Sequence, residues 1–327
     1  MSQDLAATRG VSEVEERSSS LLSRLLAETF GTFLLTLVIV GVLVYSPLNT
    51  VGGLGIALGG AFAYIAGAAA VGRVSGAHFN PAISLGAWLG GRISITSMFS
   101  YWGGQLVGAV LAAAVLFATI PQPLVELLGK QSTSDVFDSA VNGFSTRSPL
   151  YLQTQGGAQF DWLPALLVEI IISAVLVGVY LGANDPRRRI GYAPVAVGSA
   201  IAALTLVSWF VTNTGMNPAR STAAAVFANE WGQLWLFWVA PLVGAALAAL
   251  FYRAFASGEA EELEELDEDD DEDEGKDDEE AFSTVTPTPE TSTPEAEAET
   301  TATDEATEPE SEPAKKTEPA KKADDKA

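Results

Sequence analysis

Few side chains in this 327-residue sequence are equipped for chemistry, and their types narrow what that chemistry is. There is no cysteine and one histidine, His78. Disulfides and thiolate metal sites are thereby excluded, and a metal cluster or a Ser-His-Asp set has little room. Two Asn-Pro-Ala triplets lie beside apolar runs instead: Asn80-Pro81-Ala82 within S-G-A-H-F-N-P-A, and Asn217-Pro218-Ala219 within N-T-G-M-N-P-A-R-S. Arg220 directly follows the second triplet, and two carboxylates, Glu28 and Glu169, sit in apolar runs of their own. Amide, guanidinium and carboxylate groups in such surroundings donate and accept hydrogen bonds. With no nucleophile-base set visible, they hold or pass polar molecules rather than break bonds. No enzyme activity, cofactor or nucleic-acid partner is expected.

Each triplet opens a short helical stretch, about 80–90 and 217–228. At 1.5 Å per residue these reach roughly 15 Å, half of the ~30 Å hydrocarbon core. Asn is a favoured N-cap, and Pro is tolerated in the first turn because its missing N–H would be unpaired anyway. Asn-Pro-Ala therefore reads as a helix start at mid-depth, after the chain has re-entered the membrane. Irregular backbone at that depth is tolerated only inside protein or along a wet cavity. Gly76, Ala77 and His78 before the first start, and Asn213, Thr214 and Gly215 before the second, are such backbone. Their carbonyls are expected to line a pore as acceptors.

Six apolar runs are long enough to cross a bilayer: roughly 24–46, 51–72, 98–120, 162–183, 190–211 and 233–255. The first is too long for a signal peptide and is followed by further spans. Glu28 precedes Asn80 by 52 positions and Glu169 precedes Asn217 by 48. Each carboxylate opens a half of three spans with a triplet between the last two, an internal duplication of about 140 residues. Three is odd, so the second half is inverted relative to the first. The fold expected is an all-α membrane protein: six transmembrane helices, two re-entrant half-helices and inverted three-helix repeats, about 24–120 and 162–255.

Inversion brings the two helix starts face to face. Each carries about +0.5 charge, so together they oppose cations. Each capping Asn keeps an amide NH2 for a passing oxygen. A water accepting from both turns its hydrogens outward and interrupts a proton-hopping chain. Glu28 and Glu169 are open to two readings: a proton or cation relay, or acceptors for the backbone N–H groups of the nearby loops. His78 reads either as a pH sensor or as a packed, hydrogen-bonded loop residue. Small residues such as Gly59, Gly60, Gly67 and Gly244 should let helices approach closely.

Net charge is −23, yet about 29 of the 41 acidic residues lie beyond Ser257, leaving residues 1–256 close to neutral. Residues 1–23 read as a cytoplasmic leader, 24–256 as the membrane domain and 257–327 as an acidic, disordered tail whose partner the sequence does not name. Arg24, Arg73, Arg92, the Arg187–Arg189 run and Arg253 fall on one side, which places both termini in the cytoplasm of a multi-pass cell-membrane protein. Arg220 falls on the other side.

The motifs A-E-T-F-G-T-F, S-G-A-H-F-N-P-A and N-P-A-R-S make residues 24–255 resemble the aquaporin, or major intrinsic protein, family. The resemblance implies a homotetramer in lipid, one pore per subunit, and passive conduction. It also implies a filter outward of the Asn pair, with Arg220 as its arginine; an Arg and half-helix dipoles that exclude cations are the known arrangement of such pores. Carried over by motif spacing, the other filter positions are Gly60, Thr205 and Thr214. Water-selective members carry an aromatic residue and a histidine where this chain has Gly60 and Thr205. The expectation is a channel for water and small neutral solutes, wide enough for glycerol and closed to ions and protons. A strictly water-selective pore is the alternative, followed by an ion-coupled transporter or a scaffold acting through its tail. Should another side chain fill the space at Gly60, Phe62 and Trp209 are the first candidates.

Overall fold

A computed structural model describes residues 19–48, 52–185, 187 and 191–255. The expected tail and most of the leader lie outside the described residues. Six helices have the length and apolar composition to cross a membrane: α1 (Leu21–Val44), α2 (Gly52–Ser75), α4 (Ile95–Thr119), α8 (Trp162–Ala183), α9 (Ala193–Thr212) and α11 (Leu236–Phe255). Two shorter helices, α3 (Pro81–Leu89) and α10 (Pro218–Ala228), start at the triplets. Among the described residues there is no strand.

Local signals explain the ends. Ser20 caps α1 by accepting from Ser23 N, and Ser94 caps α4 by accepting from Ser97 N. The capped start at Ser94 sets the third span slightly earlier than hydropathy places it. Between 39% and 56% of each span's most apolar window is buried. The remainder, including Phe62 at 64% exposure and Val207 at 70%, is apolar and turned outward. An outer surface of this kind suits lipid, not water.

The two halves cross by the same device. α4 meets α1 at Gly108, where an added Cβ would stand 2.2 Å from Thr29 O. α11 meets α8 at Gly244, where it would stand 2.3 Å from Ile170 O. Each contact lies one residue beyond a buried carboxylate, Glu28 or Glu169. The close approach at Gly244 agrees with its small size in the sequence, and Gly108 makes the same contact in the first half.

The 121–161 connection, which hydropathy leaves blank, contains α5 (Gln122–Leu127), α6 (Thr133–Phe137) and α7 (Pro149–Gln153). Val125, Val136 and Phe137 from it are buried in one cluster with Ala219, Ala223 and Ala224 of α10. The connection thus packs, through α6, along the second half-helix.

Candidate pore

The two half-helix starts are cross-tied. Asn80 Oδ1 accepts from Ala82 N at 2.9 Å, and its Nδ2 donates to Met216 O at 2.9 Å. Asn217 Oδ1 accepts from Ala219 N at 3.1 Å and Arg220 N at 3.3 Å, and its Nδ2 donates to Phe79 O at 2.8 Å. An amide has two hydrogens, so one per Asn remains for a third party. Both Asn side chains face a cavity of about 40 Å³. Allowing about 10–15 Å³ of such volume per water, it holds a few waters in succession.

The cavity is two-faced. Leu35, Ile39, Ile56, Leu176, Ile201 and Met216 line it on apolar sides, while Asn80, Thr205, Asn213, Thr214, Asn217 and Arg220 supply polar groups. Arg220 is 2% exposed. One of its terminal nitrogens donates to Asn142 Oδ1, and its Nε and other terminal nitrogen have no protein partner. Buried donors left open in this way are costly unless a polar molecule meets them. The Thr214 hydroxyl lies 2.9 Å from that of Ser208.

Gly60 departs from the expectation. It does not line the cavity. A Cβ there would meet Ile201 at 3.2 Å and Ile39 at 3.3 Å, so side chains of α9 and α1 already cover it. Ile56, one helical turn earlier on α2, takes the wall position. Neither Phe62, which faces outward, nor Trp209, which packs over Gly53, fills the gap.

The carboxylates face the loops, not the cavity. Glu28 Oε1 accepts from Ser75 Oγ at 2.6 Å and His78 N at 3.0 Å; Oε2 accepts from Phe79 N and Gln105 Nε2, both at 2.7 Å. Glu169 Oε1 accepts from Thr212 Oγ1 at 2.5 Å and Gly215 N at 2.7 Å, while Oε2 has no partner. His78 is buried, with Nδ1 at 3.0 Å from Ser84 Oγ and its ring between the edges of Tyr101 and Tyr180. Of the loop backbone, Gly76 and Ala77 border a second cavity and Asn213 borders the first; His78 and Gly215 border neither.

Sequence reasoning missed Asn142. It lies in the long connection yet is buried, and its Nδ2 donates to Thr212 O at 3.1 Å and Asn213 O at 2.9 Å. Its Oδ1 accepts from Arg220 and, at 2.8 Å, from Ser221 Oγ. Its only signal is the Asn-Gly step at 142–143, which reads as an ordinary turn.

Six membrane-length helices and two half-helices meeting at a small, two-faced cavity define a membrane channel. A profile of the major intrinsic protein family matches residues 15–252. The chain is 38% identical over 238 residues to an Aquaporin Z of Photorhabdus laumondii subsp. laumondii, covering 71% of this chain and 97% of that relative. It is 40% identical over 238 residues to an Aquaporin Z of Brucella melitensis biotype 1, with the same coverage. The aquaglyceroporin structure from Plasmodium falciparum shares the fold with a TM-score of 0.58 at 20% identity, over 71% of this chain and 96% of that one. The chain belongs to the major intrinsic protein family of membrane channels.

Proposed function

We propose that this channel passively conducts water and small neutral solutes and excludes protons and ions. The observation that carries the reading is the set of unspent donors on residues that border one small cavity: one amide hydrogen each on Asn80 and Asn217, and two unpartnered nitrogens on Arg220. A neutral oxygen satisfies them, whereas a cation meets a fixed guanidinium and two helix starts. The relatives named Aquaporin Z support water as the main permeant. On this reading Arg220, Thr205 and Thr214, with Ile56 in place of Gly60, form the outer filter, and the Asn-Pro-Ala pair forms the central one. Glu28 and Glu169 serve as acceptors that hold the loops. The channel domain sits as a homotetramer in lipid, with both termini and the tail in the cytoplasm.

A second reading, passage of glycerol-sized solutes, is favoured by one feature: Thr205 replaces a histidine, and no aromatic ring borders the cavity. Ile39 and Ile56 act against it by closing the space that Gly60 alone would leave.

The test is stopped-flow light scattering of proteoliposomes holding the full chain. Water flux should appear without any proton or sodium gradient, and a pH gradient should persist across the same vesicles. Arg220→Val should admit protons or cations. Uphill solute accumulation driven by pH would overturn the channel reading. Glycerol flux comparable with water flux, cut by Thr205→His, would establish the wider filter.

A further inference from the structure

We infer that Tyr64 and Tyr180 form a second specificity station on the inner side of the Asn pair, limiting which solutes pass after the outer filter. This rests on the channel reading above. The main observation is a break between two cavities. The first is the one just described. The second, of about 400 Å³, is bordered by Tyr64, Ala68, Arg73, Gly76, Ala77 and Asn184 and lies toward the arginine-rich side. The two share no wall residue.

Helical spacing shows what stands between them. On α8, Leu176 borders the first cavity and Asn184 the second, so Tyr180, one turn from each, lies at the partition. On α2, Ile56 borders the first cavity and Tyr64, two turns on, borders the second. Both tyrosines are buried. Their rings are braced: Tyr64 meets Phe79 edge-on with centroids 5.8 Å apart, and Tyr180 meets His78 at 5.1 Å.

Their hydroxyls also occupy the loop. Tyr180 donates to Gly76 O at 2.8 Å and Tyr64 donates to Ala77 O at 2.8 Å, while Tyr101 fastens Ser75 O from α4 at 2.9 Å. Gly76 O and Ala77 O are two of the carbonyls expected to serve as acceptors along a pore. A solute such as urea or glycerol brings several N–H or O–H donors, and here it finds each carbonyl already holding one hydroxyl, with a single lone pair left. To pass, it must displace a hydroxyl and move a ring. Water, smaller and with only two donors, needs less of both. The second loop has no counterpart, because Asn142 holds Thr212 O and Asn213 O from the side of the long connection.

The experiment compares wild type with Tyr64→Phe/Tyr180→Phe and Tyr64→Ala/Tyr180→Ala in proteoliposomes. Water, urea and glycerol permeability and proton leak are read on each. The Phe pair keeps the rings and frees the carbonyls; the Ala pair also removes the rings. Urea and glycerol permeability relative to water should rise several-fold with Phe and about tenfold or more with Ala, with proton exclusion intact because Asn80, Asn217 and Arg220 are untouched. If the Ala pair does not assemble, the Phe pair decides alone. Unchanged solute-to-water ratios in a water-conducting Phe pair would overturn the station and leave the channel reading standing. Absence of water flux in wild type would overturn both.

Discussion

Four and three residues ahead of each capping Asn, the backbone turns left-handed: φ is 90° at Gly76 and 56° at Ala77, and 63° at Asn213 and 55° at Thr214. Such angles cost a non-glycine residue on the order of 1–2 kcal/mol, so something must hold them. The first loop is held by Glu28, which accepts from Ser75, His78 and Phe79 and is itself braced by Gln105, and by three tyrosine hydroxyls. The second is held by one oxygen of Glu169, by Asn142, by the Asn213 amide donating to Ser139 O and Val141 O of the long connection, and by the Ser208–Thr214 hydroxyl pair. The duplication kept the backbone path while its fastenings diverged. The first loop is closed off by phenols. The second leaves Arg220 open to the cavity. What the two mouths can recognise therefore follows from the side chains that tie each loop, more than from the loop path they share.

The largest expected difference comes from the carboxylates. Glu28→Ala strands four donors and should cost about 3–5 kcal/mol, while Glu169→Ala strands two and should cost roughly half. Thermal unfolding of the two purified variants in detergent measures it. Equal losses would show that the number of donors does not set the strength of the hold.

Asn142→Ala sharpens the comparison from the other side. It removes the acceptor of Arg220 and Ser221 and the donor to two loop carbonyls, for about 1–3 kcal/mol. With Arg220 no longer tethered, proton leak through proteoliposomes should rise. An intact proton barrier would mean that Arg220 is held by its surroundings without Asn142.

The smallest effect concerns the arginine-rich side, outside the spans. Asp185 accepts from Arg187 at 2.6 Å and from Tyr252 OH at 2.8 Å, and Arg92 lies 3.8 Å away. The Arg187 hydrogen bond holds its carboxyl well below the usual carboxylate range. A lowered folded value means that the contribution is complete above the unfolded Asp value of about 3.9 and is lost as pH falls toward the folded one. Melting temperature should therefore show no Asp185-dependent change between pH 8 and 5. Below about pH 4 the gap between wild type and Asp185→Asn should narrow. A gap that already closes near pH 6 would contradict this.

The parts legible in the sequence are those fixed by local rules. Asn-Pro sets the start of α3 and α10 within one residue, and apolar runs locate the six spans within a few residues. The failures lie where the answer depends on another helix. Gly60 looked like open space because spacing along α2 says nothing of Ile39 or Ile201, which reach it from α1 and α9. Tyr64 and Tyr180 look like ordinary apolar positions until the first loop is folded against them. Asn142 sits in a connection whose helices are too short for a periodic pattern. The acidic tail read from the sequence, 257–327, lies outside the described residues.

The reciprocal Asn ties carry a timetable. The partner of the Asn80 amide, Met216 O, is 136 positions further along the chain. At about 5–20 residues per second of synthesis, the first half-helix start waits roughly 7–27 s for it. During that interval a polar amide at mid-membrane depth has no protein partner on the opposite half. Completion of the centre is therefore a late event, set by arrival of the second half and not by insertion of the first. A chain stopped before residue 216 holds five spans and a half-helix with nothing to face.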